Sequence, residues 1–214
     1  MKTFIISRKL LMTFAFMVLL GGLTAQNAHH DNDTSANSEM NAQNFRAAAE
    51  SGNAEAQFNL GNCYYDGLGV EVNVVDAISW YSRAADQNYA PAQNALGKAY
   101  ENGDMGTPDL KLAKKFYTLA ANQGNLQAMY NLGRNSVDGF YNYTTDAVRW
   151  FAKSAGGGYA PAMFELGFCY EHGYGVKVNR AIALEWYIKS QQGGYEEAKE
   201  AVARLGEGSQ SDSE

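Results

Sequence analysis

Residues 54–88 read AEAQFNLGNCYYDGLGVEVNVVDAISWYSRAADQN. Ala56, Leu60, Gly61 and Tyr64 stand at offsets 0, 4, 5 and 8, which places them on one face of a helix. Gly67-Leu68-Gly69-Val70 then supplies a left-handed stop, followed by an apolar residue that can tuck back inward. A second helix is marked by Ala77, Trp80, Tyr81, Ala84 and Ala85, and Asn88 closes it. Aromatics at i with alanines at i+4 make one turn bulky and the next small, so stacked helices can interlock.

The same stretch recurs three more times. Leu-Gly pairs fall at Leu60-Gly61, Leu96-Gly97, Leu132-Gly133 and Leu166-Gly167, spaced by 36, 36 and 34 residues. The first-helix marks return as Ala92, Leu96, Gly97, Tyr100 and as Ala162, Leu166, Gly167, Tyr170; the third copy has Ala128, Leu132 and Gly133 but Ser136 in the Tyr position. A glycine inside a helix costs roughly 1 kcal/mol against alanine, so its return in each copy implies a neighbouring helix that approaches closely. Copy two keeps Gly103 and Gly106 and copy four Gly173-Tyr174-Gly175-Val176, while copy three keeps Gly139 alone and is two residues shorter there. A connecting loop absorbs that deletion without turning either helix face.

The second-helix marks return as Ala113, Phe116, Tyr117, Ala120, Ala121, as Ala147, Trp150, Phe151, Ser154, Ala155, and as Ala183, Trp186, Tyr187, Ser190. Gly124, Gly158 and Gly194 close them, and Pro91 and Pro161 open the following helices, where a missing N–H costs little. A fixed period of this length predicts an all-α solenoid of stacked helix pairs. The repeats fall at about 54–88, 89–124, 125–158 and 159–194. Asn41 to Gly52 matches a lone second helix, and Tyr195 to Leu205 a lone first helix whose Glu196, Glu197, Lys199, Glu200 and Arg204 give a cap its polar outer face. The array 41–205 is expected to be one domain.

These residues resemble Sel1-like repeats, relatives of the tetratricopeptide repeat. The likeness rests on A-x3-LG-x2-Y-x2-G-x-GV followed by A-x2-WY-x2-AA-x2-G, and it covers nearly all of 41–205. The ordinary tetratricopeptide unit of about 34 residues lacks the Gly-x-Gly-Val connection. The resemblance implies a right-handed α-solenoid that acts as an adaptor or scaffold, without enzymatic activity. An exported hydrolase or cell-wall-acting enzyme, suggested for some cysteine-rich relatives, is the alternative; a plain spacer is a third. The cysteine-rich members staple each repeat with a local cysteine pair, which this chain lacks.

Outside the array, Lys2, Arg8 and Lys9, the apolar run Leu10 to Leu20 and the small residues up to Ala25 read as an export signal, residues 1–25. The roughly 14 apolar or small residues fall short of the ~20 that span a bilayer, and no Cys follows as a lipid acceptor. Residues 26–40 read as a flexible polar tether, in which His29, His30 and Asp31 have no scaffold to make them a metal site. Residues 206–214 read as a disordered acidic tail. Removing the signal, with three basic and no acidic residues, takes the net charge from −6 to −9. That balance argues against nucleic acid or anionic membrane as a partner. The mature chain is expected to be a periplasmic or secreted monomer, bacterial in origin, with no membrane insertion.

Cys63 and Cys169 stand at equivalent positions three repeats apart. Helices packed 8–10 Å apart put their sulfurs roughly 25 Å from each other, far beyond the ~7 Å between Cα atoms that a disulfide tolerates. Both are expected to be free, small buried fillers. No cofactor is implied. The sequence holds no phosphate loop, no nucleophile elbow and no closely spaced Cys/His set. Glu171 and His172 read as a solvated charge pair at a helix end, and Asn32 and Asn142 open glycosylation patterns that matter only in a eukaryotic secretory pathway.

The face of each first helix opposite Ala-Leu-Tyr remains for a partner, and in related repeats this face lines the concave surface. Its expected binding residues are Phe58, Asn59, Asn62, Asn94, Lys98, Tyr130, Asn131, Arg134, Phe164 and Phe168, with Tyr65 and Glu165 nearby. Rings would anchor a peptide or helix, and the amides would donate to and accept from its backbone. The competing reading is that these rings pack against the next repeat as the array curves.

Overall fold

Asparagine and its short-chain relatives start most of the helices. Asn53, Asn73, Asp109, Asn125, Thr144 and Asn179 each accept a hydrogen bond from a backbone N–H in the first turn of the helix that follows. Two further helices lack a side-chain cap and have Pro91 and Pro161 in the first turn instead. The computed structural model describes residues 42–138 and 142–211. The export signal, the tether with His29, His30 and Asp31, Asn32 and Gly139 lie outside the described residues.

Ten helices run along the described chain. They are α1 (42–50), α2 (Ala54–Asp66), α3 (Val74–Asp86), α4 (Ala90–Asn102), α5 (Leu110–Asn122), α6 (Leu126–Asn135), α7 (Thr145–Gly156), α8 (Ala160–His172), α9 (Arg180–Gln192) and α10 (Ala198–Ser211). From α2 onward each packs on the next, forming an α-solenoid of four pairs with a single helix at either end. First helices end on Gly67, Gly103 and Gly173 at φ 73°, 78° and 74°. After each stop the chain returns: the N–H of Asn73, Asp109 and Asn179 donates to the carbonyl of Tyr64, Tyr100 and Tyr170. One residue thus closes the loop and caps the second helix.

The recurring glycine is explained by what faces it. A Cβ on Gly61, Gly97, Gly133 or Gly167 would stand 2.6, 2.5, 2.5 or 3.0 Å from the ring of Tyr81, Tyr117, Phe151 or Tyr187. These rings are the bulky members of the second helices, and all four are buried. Each pair therefore closes ring to backbone, flanked by the fully or nearly fully buried Ala77, Ala113, Ala147 and Ala183. The buried phenols need acceptors. Tyr117 donates to Glu101 Oε2 at 2.6 Å and Tyr187 to Glu171 Oε2 at 2.8 Å, and Tyr81 donates to Asn62 Oδ1 at 2.8 Å. In copy three the ring is Phe151, with no hydroxyl, and the position equivalent to Glu101 and Glu171 is Val137.

Polar seams differ between the two halves. Gln87 donates to Gln57 and Gln123 to Gln93, at 2.8 and 2.7 Å. Copies three and four use serine instead: Ser154 and Ser190 donate to the carbonyls of Leu126 and Ala160 at 2.7 and 2.8 Å. Cys63 and Cys169 are free and buried, and burial, with the Glu165 carboxylate adding to it, pushes the Cys169 thiol up to about 12.

Three details depart from the sequence reading. In copy three α6 stops a turn early, at Asn135, and the chain forms a two-residue antiparallel ladder, β1 (Val137–Asp138) with β2 (Asn142–Tyr143), in register Val137 to Tyr143. With Ser136 in place of Tyr there is no ring to carry the last turn, and Ser136 caps the helix end. The second departure is at the C-terminus. Tyr195, Glu196 and Glu197 precede the last helix, and that helix continues to Ser211, through residues expected to be tail. No proline interrupts it, and its two glycines, Gly206 and Gly208, each cost about 1 kcal/mol without ending the helix.

The third concerns Glu171, which is no solvated charge. Its side chain is 7% exposed, and both oxygens are taken by Arg204 of α10, with Tyr187 donating as well. These hydrogen bonds to the charged form, Arg204 first, hold the Glu171 carboxyl below its ordinary range. A depressed folded value stabilises the protein at neutral pH and is lost as pH falls through it. Glu171→Gln is therefore expected to lower the thermal midpoint at pH 7. Melts followed by circular dichroism should show that difference closing below about pH 4.

Candidate partner-binding surface

The first helices α2, α4, α6 and α8 carry eight of the ten expected binding residues in two registers, and Asn59 and Asn131 share a third. Positions 58, 94, 130 and 164 are equivalent, and so are 62, 98, 134 and 168. In the first register the rings join consecutive repeats. Phe58 lies 5.8 Å from Tyr81 of its own repeat and 5.7 Å from Tyr89 at the start of the next. Tyr130 lies 5.9 Å from Phe151 and 5.4 Å from Tyr159, and Phe164 lies 5.2 Å from Tyr187 and 5.3 Å from Tyr195. All three are half-buried. Each presents an edge to solvent while its body closes the seam, so the packing role is in place whatever else these rings do.

Copy two breaks the series. Asn94 stands in the ring position and Asn125 in the tyrosine position that Tyr89, Tyr159 and Tyr195 fill elsewhere. Asn125 caps α6 through the Ala128 N–H at 2.8 Å. Asn94 is buried; it donates to Gln127 Oε1 at 3.2 Å and accepts from Asn131 Nδ2 at 3.0 Å. Asn131 is buried too, so these two amides tie α4 to α6.

A cavity of about 230 Å³ opens where the rings are missing. It is lined by Phe58, Asn62, Asn94 and Lys98 from the expected set, together with Tyr65, Tyr81, Pro91 and Gln127. Four expected residues thus come together across repeats one to three. Asn59 is half-exposed on the same helix as Phe58. Lys98 and Arg134 are exposed, and the Arg134 guanidinium is 5.9 Å from the Tyr130 ring centroid. Burial and then the Glu165 carboxylate raise the Tyr130 phenol, with Arg134 opposing them.

Phe168 belongs to a different cluster. It contacts Tyr143, Tyr174 and His172, with centroids 5.9, 5.6 and 4.3 Å away. Phe164 and Phe168 therefore lie outside the cavity. Gln127 and Asn125 were missed in the sequence, although comparing 89, 125, 159 and 195 across copies exposes the break. Among the described residues, no group of three or more His, Cys, Asp and Glu is placed to hold a metal ion, and no helix is long and apolar enough to cross a membrane.

Comparison with known proteins agrees with the fold and the repeat register. The Sel1 repeat profile matches residues 54–89, 90–125, 126–159 and 160–195. A Sel1 repeat protein from Oxalobacter formigenes is similar in structure, with a TM-score of 0.68 and 34% identity over 77% of this chain and 66% of that one. So is c5321, a protective antigen of uropathogenic Escherichia coli strains displaying an SLR fold, with a TM-score of 0.58 and 26% identity over 79% of this chain and 44% of that one. Chitin synthase regulatory factor 3 of Schizosaccharomyces pombe is 30% identical over 169 residues, 78% of this chain but only 15% of that protein. The chain belongs to the Sel1 repeat family, an α-solenoid class that typically serves as a protein-interaction scaffold.

Proposed function

We propose that this protein is an exported, non-enzymatic scaffold that binds a peptide or protein partner on the face formed by α2, α4 and α6. The observation that carries this is the cavity at the break in the ring series, where Phe58, Asn62, Asn94 and Lys98 converge. A groove that combines ring edges with amides and a cation suits an extended chain better than a small polar metabolite. Export rests on the basic, apolar and small-residue order of residues 1–25. The mature protein would act as a periplasmic or secreted monomer, with no nucleic acid or membrane as its target.

Panning a phage-displayed twelve-residue peptide library on the mature protein tests the binding reading. Enriched peptides are expected to lose about tenfold in affinity on Lys98→Ala and on Lys98→Glu, at unchanged helicity. Failure to enrich, or binding indifferent to both changes, would reject the groove.

A further inference from the structure

In three of the four copies a first-helix ring packs between two others. Phe58, Tyr130 and Phe164 lie 5.2 to 5.9 Å from the second-helix ring of their own repeat, and 5.3 to 5.7 Å from the tyrosine that opens the next unit. These separations fall in the range of about 4.5–7 Å in which aromatic pairs attract. Copy two has the second-helix ring, Tyr117, but Asn94 and Asn125 stand where the other two rings belong. Ala95 is small as well, where the other copies carry Asn59, Asn131 and Glu165. The cavity of about 230 Å³ opens on this gap and is lined by all three substituting residues, Asn94, Ala95 and Asn125. A void of about 150 Å³ is enough to admit benzene, so the space takes one ring with its attachment.

A cation stands beside the gap. In copy three the Arg134 guanidinium lies 5.9 Å from the centroid of the Tyr130 ring, four residues earlier on α6. Lys98 holds the equivalent position in copy two, but the residue four before it is Asn94. Lys98 is exposed, borders the cavity and forms no ion pair among the described residues. On the second helices Arg83, Lys153 and Lys189 already have rings, lying 4.4, 4.5 and 4.4 Å from those of Trp80, Trp150 and Trp186. The rim carries both signs, because Asp66 lines the cavity with Lys98 and Asp104 accepts from Tyr65 of its wall at 3.0 Å. Charge therefore selects neither an acidic nor a basic side chain there, and the missing rings decide what fits.

We infer that the cavity receives an aromatic side chain of the partner, which supplies the ring missing from copy two, with Phe58 beside it and Lys98 over its face. The inference rests on the binding reading proposed above and gives the partner's chemistry. The guest ring continues the aromatic seam that joins repeats one and two through Phe58 and Tyr89, and repeats three and four through Tyr130 and Tyr159. Its attraction to Lys98 is stronger against a partly desolvated wall than in open water. The Asn62 oxygen is occupied by the Tyr81 hydroxyl, so Asn62 offers its N–H groups to the carbonyls that flank the guest.

Nuclear magnetic resonance titrations of the mature protein provide the test, using blocked hexapeptides Ser-Ala-Xaa-Ala-Asn-Ser in which Xaa is Tyr, Phe, Trp, Leu, Gln, Lys or Glu. The Tyr, Phe and Trp peptides are expected to bind about tenfold or more tightly than the rest, and to shift the side-chain amides of Asn94, Asn125 and Gln127. Asn125→Tyr restores a ring that the other copies carry, with loss of the α6 cap, and Ala95→Leu fills the space without removing a hydrogen bond. Each should abolish the aromatic preference in a protein that still melts cooperatively, and Lys153→Gln should leave it intact. A Leu peptide that binds as tightly as the aromatic ones overturns the ring inference but leaves the groove standing, and so does a Lys or Glu peptide that binds best. An aromatic preference that survives both filled variants overturns it too, because the ring then binds elsewhere. Failure of every peptide to bind overturns both readings.

Discussion

Phe151→Ala is expected to remove about 3–5 kcal/mol of stability, the usual loss for emptying a buried phenylalanine site. The ring is fully buried in the cluster that includes Ala147, Ala162 and Leu166. Its edge lies against the backbone at Gly133, and Tyr130 and Tyr143 contact it at 5.9 and 6.1 Å. One ring thus closes the third helix pair and supports the seam to the fourth. No polar partner is orphaned, since Phe151 has no hydroxyl, so the loss reports packing alone. Urea unfolding followed by circular dichroism measures it. A loss below about 1 kcal/mol would mean that the repeat collapses to refill the space, contrary to close-packed seams.

Gly97→Ala is expected to destabilise the protein by about 2 kcal/mol, although alanine is the better helix former. The new methyl would meet the Tyr117 ring at 2.5 and 2.6 Å. Tyr117 is fully buried and its hydroxyl is held by Glu101 at 2.6 Å, so the ring cannot retreat. The propensity gain of roughly 1 kcal/mol offsets only part of that overlap. Gly156→Ala is the contrast: nothing lies within 4 Å of its Cβ, it ends a helix on the exposed side, and its replacement should be neutral or slightly stabilising. Combining Gly97→Ala with Tyr117→Leu should cost less than the sum of the two, because they compete for one space. An additive result would place the strain elsewhere.

These two sites show how far the sequence could be read. The return of glycine at 61, 97, 133 and 167 required a close neighbour, but the sequence did not say which. The structure supplies the second-helix ring of the same repeat, and with it the pairing of Tyr117 to Glu101, of Tyr187 to Glu171 and of Phe151 to Val137 in that register. The expected concave residues were legible as a face, because helical period alone sorts them. Their separate occupations were not. Phe58, Tyr130 and Phe164 bridge repeats, Asn94 and Asn131 pair with each other, and Phe168 joins Tyr143 and Tyr174. These contacts span from 6 positions, Phe168 to Tyr174, to 37, Asn94 to Asn131, and a helical wheel does not register them.

Periodicity, the left-handed stops and the first-turn prolines were enough to dictate stacked helix pairs, since those signals act within a few residues through backbone geometry and the burial of one face. The early end of α6, its small ladder and the capture of Glu171 by Arg204 were decided only on packing. So was the cavity left where copy two carries asparagine in place of rings. A void and an ion pair between α8 and α10 are properties of neighbouring repeats, set by volumes and charges that meet only once the array has closed.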